Sequence, residues 1–307
     1  MKVLIFGSTG LFGVSFIFRY YNVLDITAVV NKKNIKVDNV KTIKISSNSL
    51  SLNIDELEKI IIKNKPEVVI NAAALTNIEF CENQKIETFN VNTELAGKIS
   101  HVCFGHNIKF IHISTDSLFK GDKEYMDETL NYDPQNIYAL SKANAEKLIL
   151  SNNPNSLILR TSFYGWGPPS RQSLSDWIIN SLRSKKEINC YTNIFFTPIL
   201  TIDFSDIMLK LIKSNAHGIF NISCDKKISK YQFAIDLART LNLDEDLIKP
   251  IEYNNNLSVK RPLDLSLSNN KLKKIHQIQI KSINNQILQL KENEQKIKKF
   301  YEFFSIE

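Results

Sequence analysis

Apolar residues recur along this chain in two rhythms. Short runs rich in Val, Ile and Phe occur at 2–6, 26–30, 42–45, 68–71, 109–114 and 157–160. Between them, apolar residues at helical spacing mark stretches near 11–21, 54–64, 86–107 and 136–151. Unbroken apolar runs predict strands buried on both faces, and single helices between them predict βαβ units around a parallel sheet. Lys65-Pro66 stops the second helix just before a strand, because the residue before a proline is pushed out of the helical region. After Arg160 the rhythm changes. Gly165, Gly167, Pro168 and Pro169 break the chain. Beyond them the spacing predicts a helix at 174–184, extended pieces around 191–197, a strand at 218–223, a helix at 230–241 and a last helix after Ser282. The expected architecture is α/β, a doubly wound parallel sheet with a smaller mixed α/β lobe. Residues 1–162 and about 197–216 make the sheet domain, and 163–196 with about 217–307 make the lobe.

Length agrees with this division, since 307 residues at roughly 150 per domain is two units. With 43% hydrophobic and 23% charged residues, the chain is no disordered polymer. No apolar run approaches the roughly 18 residues of a membrane span. The opening run, Val3 to Phe6, passes straight into a glycine-rich turn, unlike a signal peptide. The expectation is a cytoplasmic protein with no membrane partner. Cys81, Cys103, Cys190 and Cys224 lack CxxC spacing, which argues against a zinc ribbon or a disulfide framework. His112 alternates with apolar neighbours and reads as a core histidine. The other four histidines do not cluster with carboxylates, so no metal site is expected. The net charge of +7 comes from dispersed lysines, and between Lys271 and Lys299 they alternate with Glu and Gln at helical spacing. A solvated helix explains that stretch, and no nucleic-acid partner is expected. A positive field equally suits a phosphate-bearing small ligand.

Gly7-Ser8-Thr9-Gly10-Leu11-Phe12-Gly13 lies between the first strand and the first helix. One glycine permits positive φ at the tight turn, a second lets backbone approach a pyrophosphate, and a third lets helix and strand pack closely. Free N–H groups and the dipole at the helix start favour the phosphate charge. In this context the turn predicts a Rossmann-type dinucleotide site. The second strand ends in Asn31, Lys32 and Lys33 with no acid to meet a ribose 2′-hydroxyl. That favours NADPH over NADH, unless the lysines simply face solvent in a loop.

Tyr138 and Lys142 are four residues apart, on one face of a predicted helix. A free phenol titrates near 10, and a neighbouring cation draws that value toward the range useful for acid–base catalysis. The preceding strand ends in Ser114-Thr115-Asp116, at the carboxyl edge where ligands bind in such sheets. A hydroxyl there can hold a substrate oxygen through both its carbonyl and alkoxide stages.

At these residues the chain resembles the extended short-chain dehydrogenase/reductase superfamily, and within it the dTDP-4-dehydrorhamnose reductases. The likeness covers nearly the whole chain. It runs through Gly7–Gly13, Asn71-Ala72-Ala73-Ala74, Ser114-Thr115-Asp116, Asn136 to Lys142, Arg160-Thr161-Ser162 and Arg261-Pro262 to Leu267. It implies Thr115, Tyr138 and Lys142 as the catalytic triad, with Ala72–Ala74 along the cofactor. It also implies reduction of a nucleotide-linked 4-keto-6-deoxy sugar by hydride transfer to C4, with Tyr138 giving the proton. Asp116, Ser117, Phe163, Trp166 and Arg261 are the residues expected at the substrate. Trp166 either borders that pocket or packs under the Gly-Pro loop. Arg261 either binds a nucleotide phosphate or makes a structural salt bridge. Three departures mark this chain. Ser117 stands where the family has Tyr, Phe163 where it has Trp, and no acid follows the third strand at 45–48. The first two alter the sugar-facing surface. An NAD-dependent epimerase is the alternative within the superfamily, and a non-catalytic Rossmann subunit the alternative outside catalysis. The last helix, 283–303, either supports a homodimer or covers a core.

Overall fold

The computed structural model describes residues 1–31, 33–45, 52–168, 171–254 and 259–306. Its main sheet contains seven parallel strands: β1 (Lys2–Phe6), β2 (Asp25–Val30), β3 (Val40–Lys44), β4 (Val68–Asn71), β5 (Lys109–Ile113), β6 (Leu157–Arg160) and β7 (Gly218–Asn221). Their spatial order is β7-β6-β5-β4-β1-β2-β3. The chain therefore winds outward from β1 to β3, returns to β4 beside β1, and winds outward again. At that reversal the loops leaving β1 and β4 diverge and open a crevice at the carboxyl edge.

Side chains alternate across this sheet, and both faces are covered. Val3 and Ile5 join one buried cluster with Phe16 and Phe204, while Leu4 and Phe6 join another with Leu57, Ile61, Ile99 and Ile149. The first cluster is supplied by helices α1 (Leu11–Tyr20) and Thr201–Lys213, the second by α2 (Ile54–Asn64), α3 (Leu95–Gly105) and α4 (Ile137–Asn152). Helix α2 starts at a capping box between Asn53 and Glu56 and ends at Lys65 with φ 45°, just before Pro66. The stop before Pro66 is the one expected from the chain, and the capping box at the start is a further local signal.

The predicted helix at 86–107 is not continuous. It comprises Lys85–Phe89, a π-helical turn at Asn90–Glu94, and α3. The extra backbone residue of a π-turn re-aims the side chains it carries. Asn92 there bonds the backbone N–H and carbonyl of Leu75 and the Ser141 hydroxyl, while Thr93 donates to the Ser141 carbonyl. The turn thus ties the loop after β4 to the helix that carries Tyr138.

A second correction concerns 218–223, expected in the smaller lobe. Gly218–Asn221 instead pairs in parallel with Leu157–Arg160 as the edge strand β7. Thr201–Lys213 is the helix leading to it and packs on α1, with the Ser15 and Thr201 hydroxyls 2.8 Å apart and Arg19 bonded to Asp206 at 2.9 Å. The lobe keeps helices Leu174–Arg183 and Lys230–Leu241 and several two- to four-residue strand pairs. The last helix, Ile283–Phe300, buries Ile287, Leu290, Ile297 and Phe300. Phe300 meets Phe18 of α1 and Tyr21 at its C-terminal cap, so this helix covers a core within the chain. Among the described residues no helix is long and apolar enough to cross a membrane.

Candidate active site

The crevice at the sheet reversal is a cleft of about 350 Å³. Gly7, Gly10, Leu11, Phe12 and Gly13 form one wall, with Ala72 and Ala74 beside them. Gly7 has φ +76°, and a Cβ on it would lie 2.4 Å from the Ala72 carbonyl carbon. Only glycine lets the loops after β1 and β4 come this close. A Cβ on Gly13 would strike the Gly7 carbonyl oxygen at 2.5 Å, so this glycine seats the helix on the turn. Gly10 caps α1 without a side-chain bond, and the first turn carries no acid. The open helix N-terminus is chemically suited to an anion. Ser8, which the sequence reading passed over, anchors the turn by donating to the Val29 carbonyl at 2.7 Å.

Thr115, Asp116, Ser117, Tyr138, Lys142 and Phe163 line the same cleft. Asn136 caps α4 by accepting from the Ala139 N–H at 2.9 Å, and Tyr138 and Lys142 then project from adjacent turns. Burial pushes the Tyr138 phenol up to about 12; the Thr115 hydroxyl draws it back, while Asp116 and Cys81 push it further. Burial, rather than the neighbouring cation invoked from the spacing, is thus the leading influence on this phenol. The Lys142 nitrogen is instead bound to β5, 2.8 Å from the Ile113 carbonyl and 2.8 Å from His112 Nε2. Burial moves the Lys142 amine down to about 7, partly opposed by Glu146. The ligand-free phenol is consequently a proton donor at neutral pH.

Asp116 is buried, and one carboxylate oxygen accepts from the Thr115 and Ser117 hydroxyls at 3.2 and 3.1 Å. The other lacks a partner among the described residues. Burial raises this carboxyl, against the pull of Lys230. Phe163 stacks on Phe12 at 6.0 Å between ring centroids and meets Phe204 edge-on.

Other expected site residues lie elsewhere. Trp166 is 2% exposed and gives its indole N–H to the Leu290 carbonyl at 2.8 Å. It packs under the last helix and does not line the cleft. Arg261 is paired with Glu79, which is the structural salt bridge, and it too lies outside the cleft lining. Thr9 and Ala73 flank the lining without joining it; Ala73 contributes its N–H, bonded to the Asn71 side-chain oxygen at 3.1 Å. Asn31 follows β2 with its side-chain oxygen buried and unpartnered among the described residues. Lys32 and the stretch 46–48 lie outside the described residues. The reading also missed Arg171 and Gln172, which line the cleft from the smaller lobe. Arg171 bonds the Thr76 hydroxyl across the opening. No local signal identified them, because their position depends on how the lobe meets the sheet.

Glycine turn, strand-end hydroxyls and the Tyr-Lys helix thus meet at one edge of a doubly wound parallel α/β sheet. Residues 1–295 match the RmlD substrate binding domain, and the chain belongs to that family. The probable low-salt glycan biosynthesis reductase Agl14 of Haloferax volcanii is 28% identical over 191 residues, 60% of this chain and 62% of its own. An Aggregatibacter actinomycetemcomitans dTDP-4-dehydrorhamnose reductase is 27% identical over 194 residues, 60% of this chain and 64% of its own. The chain thus spans somewhat under two thirds of these two relatives. Methionine adenosyltransferase 2 subunit beta of Pongo abelii is 25% identical over 88% of this chain and 81% of its own. A solved dTDP-4-dehydrorhamnose reductase from Clostridium acetobutylicum has a TM-score of 0.82 at 25% identity, covering 96% of this chain and 100% of its own. The Bacillus anthracis reductase, solved in complex with NADP, has the same TM-score at 21% identity, covering 95% and 99%.

Proposed function

We propose that this protein is an NADPH-dependent reductase acting on the C4 carbonyl of a nucleotide-linked 4-keto-6-deoxy sugar, for surface or secreted polysaccharide. The observation that supports this reading is that the Tyr138 phenol, the Thr115 hydroxyl and the glycine turn line one cleft. The turn's close backbone, its uncapped helix start and the small side chains Ala72 and Ala74 fit a dinucleotide. When bound, the reduced nicotinamide supplies hydride. Thr115 holds the substrate oxygen, and Tyr138 passes its proton to that oxygen as negative charge grows on it. Lys142 orients the ligand from the adjacent turn. Ser117 and Phe163 shape the sugar side, and their departure from Tyr and Trp alters which sugar fits.

Following absorbance at the reduced-nicotinamide band with dTDP-4-keto-6-deoxy-L-mannose, with NADPH and NADH in parallel, tests the reading. Oxidation is expected with NADPH, and Tyr138→Phe is expected to lower it by about 10²–10⁴-fold, the usual worth of a general acid. A Tyr138→Phe protein working at the unaltered rate would sink the assignment. The likeness to methionine adenosyltransferase 2 subunit beta along most of both chains favours a second reading, a non-catalytic partner subunit. Its sign would be co-elution with a larger enzyme and no nicotinamide oxidation.

A further inference from the structure

Asn71, His112 and Lys142 are 0%, 0% and 2% exposed, so each polar atom among them has to be satisfied by the others or by nearby backbone. Their bonds have a direction. The Asn71 side-chain oxygen accepts from the Ala73 N–H at 3.1 Å, which turns the Asn71 amino group toward His112 Nδ1, 3.3 Å away. An amino group only donates, so Nδ1 must accept. A neutral imidazole carries a single N–H, and here it must be on Nε2. That atom lies 2.8 Å from Lys142 Nζ. Nζ also donates to the Ile113 carbonyl at 2.8 Å. To accept from Nε2–H it needs a lone pair, which an amine has and an ammonium lacks. Charging Lys142 would move the imidazole proton to Nδ1, facing the Asn71 amino group. Turning that amide over would then set its amino group against the Ala73 N–H. Either arrangement leaves two buried donors face to face.

We propose that Asn71 and His112 are positioning residues that hold Lys142 as an uncharged amine in the ligand-free protein, so that a ligand reaching Lys142 resets its charge. The charge state stands on the hydrogen-bond chain alone, while its meaning for catalysis rests on the reductase reading above. Burial acts in the same direction, moving Lys142 down to about 7 and His112 well below its usual value. The titratable groups around Lys142 are His112 from β5 and, on its own helix, Tyr138 one turn before and Glu146 one turn after. Glu146 favours the ammonium, but its carboxylate is bound by Arg160, Ser114 and Tyr132. Asp116 lines the same cleft and is bonded to Thr115 and Ser117.

Nitrogen-15 NMR of the ligand-free protein tests this without substrate or cofactor, so its outcome is independent of any reductase assay. The His112 signal, identified by its loss in His112→Gln, is expected to show a proton on Nε2 and a bare Nδ1 at mildly alkaline pH. A proton on Nδ1, or on both nitrogens, overturns the proposal. In Asn71→Asp the amino donor becomes an acceptor, Nδ1–H is satisfied, and Nε2 is free to accept from an ammonium. The Lys142 titration, followed by the carbon-13 shift of Cε, is then expected to rise by at least about one pH unit. An unmoved titration in a folded Asn71→Asp protein overturns the proposal as well. Should that variant not fold, the tautomer of the unaltered protein decides.

Discussion

Lys142 and Gly7 show how single positions tie this site to stability. The Lys142 amine sits at about 7 in the folded protein against a usual 10.5. Between those values the unfolded chain holds a proton that the folded chain does not. Stability therefore rises with pH across that window, by up to about 1.4 kcal/mol per unit, and is lost as pH falls through 7. Lys142→Met removes this dependence. The variant is expected to be the more stable protein at pH 7, with its advantage shrinking toward pH 10, as denaturant titrations at several pH values would show. Gly7→Ala is expected to act in the opposite sense. A Cβ there meets Ala72 backbone at 2.4 Å in a residue with φ +76°, and such strain costs on the order of 1–3 kcal/mol. Thermal melts should record the loss, and dinucleotide affinity should fall with it.

Between neighbouring elements, the critical joint is the buried pair joining β6 to α4. Arg160 and Glu146 are 1% and 0% exposed and meet at 2.8 Å. Glu146 also accepts from the Ser114 and Tyr132 hydroxyls, and Arg160 lies over the Phe119 and Tyr132 rings. The pair therefore fixes the strand end bearing Thr115 against the helix bearing Tyr138. Removing one partner leaves a buried charge uncompensated. Arg160→Met is expected to cost about 3–5 kcal/mol, read by urea unfolding. Replacing both, as Arg160→Met with Glu146→Leu, is expected to recover most of that loss while leaving the Ser114 and Tyr132 hydroxyls without their acceptor. The π-helical turn at Asn90–Glu94 is a second joint of this kind. It was not evident in the hydrophobic pattern, because one extra residue shifts the phase of the apolar spacing without a Gly or Pro between 85 and 96 to mark the place.

Across the whole molecule, the cleft lies where sheet and lobe meet, and a ligand bridging them should brace both. A dinucleotide that binds only the folded protein is expected to add about 2.7 kcal/mol at one hundred times its dissociation constant. The melting temperature should therefore climb with NADPH concentration. At equal concentrations a smaller shift with NADH would follow from the absence of an acid after β2, which is where a ribose 2′-hydroxyl would be met. No shift with either cofactor would remove the dinucleotide reading altogether.

Much of this was legible in the chain because it depends on neighbours in sequence. The strands of the doubly wound half, the glycine turn and the Tyr138–Lys142 spacing are local patterns, set by backbone sterics and helical periodicity. The membership of Thr115, Tyr138 and Lys142 in one cleft followed from strand and helix order, which in a parallel α/β sheet places the ends of successive strands on one edge. Tertiary structure alone decided the rest. Gly218–Asn221 could have been a strand anywhere until its apolar run found the open edge beside β6. Trp166 and Arg261 stood open between a ligand-facing and a structural role until Leu290 and Glu79, distant in sequence, supplied their partners. Arg171 entered the cleft only because the lobe folds back over Thr76. His112 read as core and is core, yet its ring nitrogen meets the lysine on which the site depends. Sequence patterning specifies which residues are buried, but which buried polar atoms face one another is set only when the elements pack.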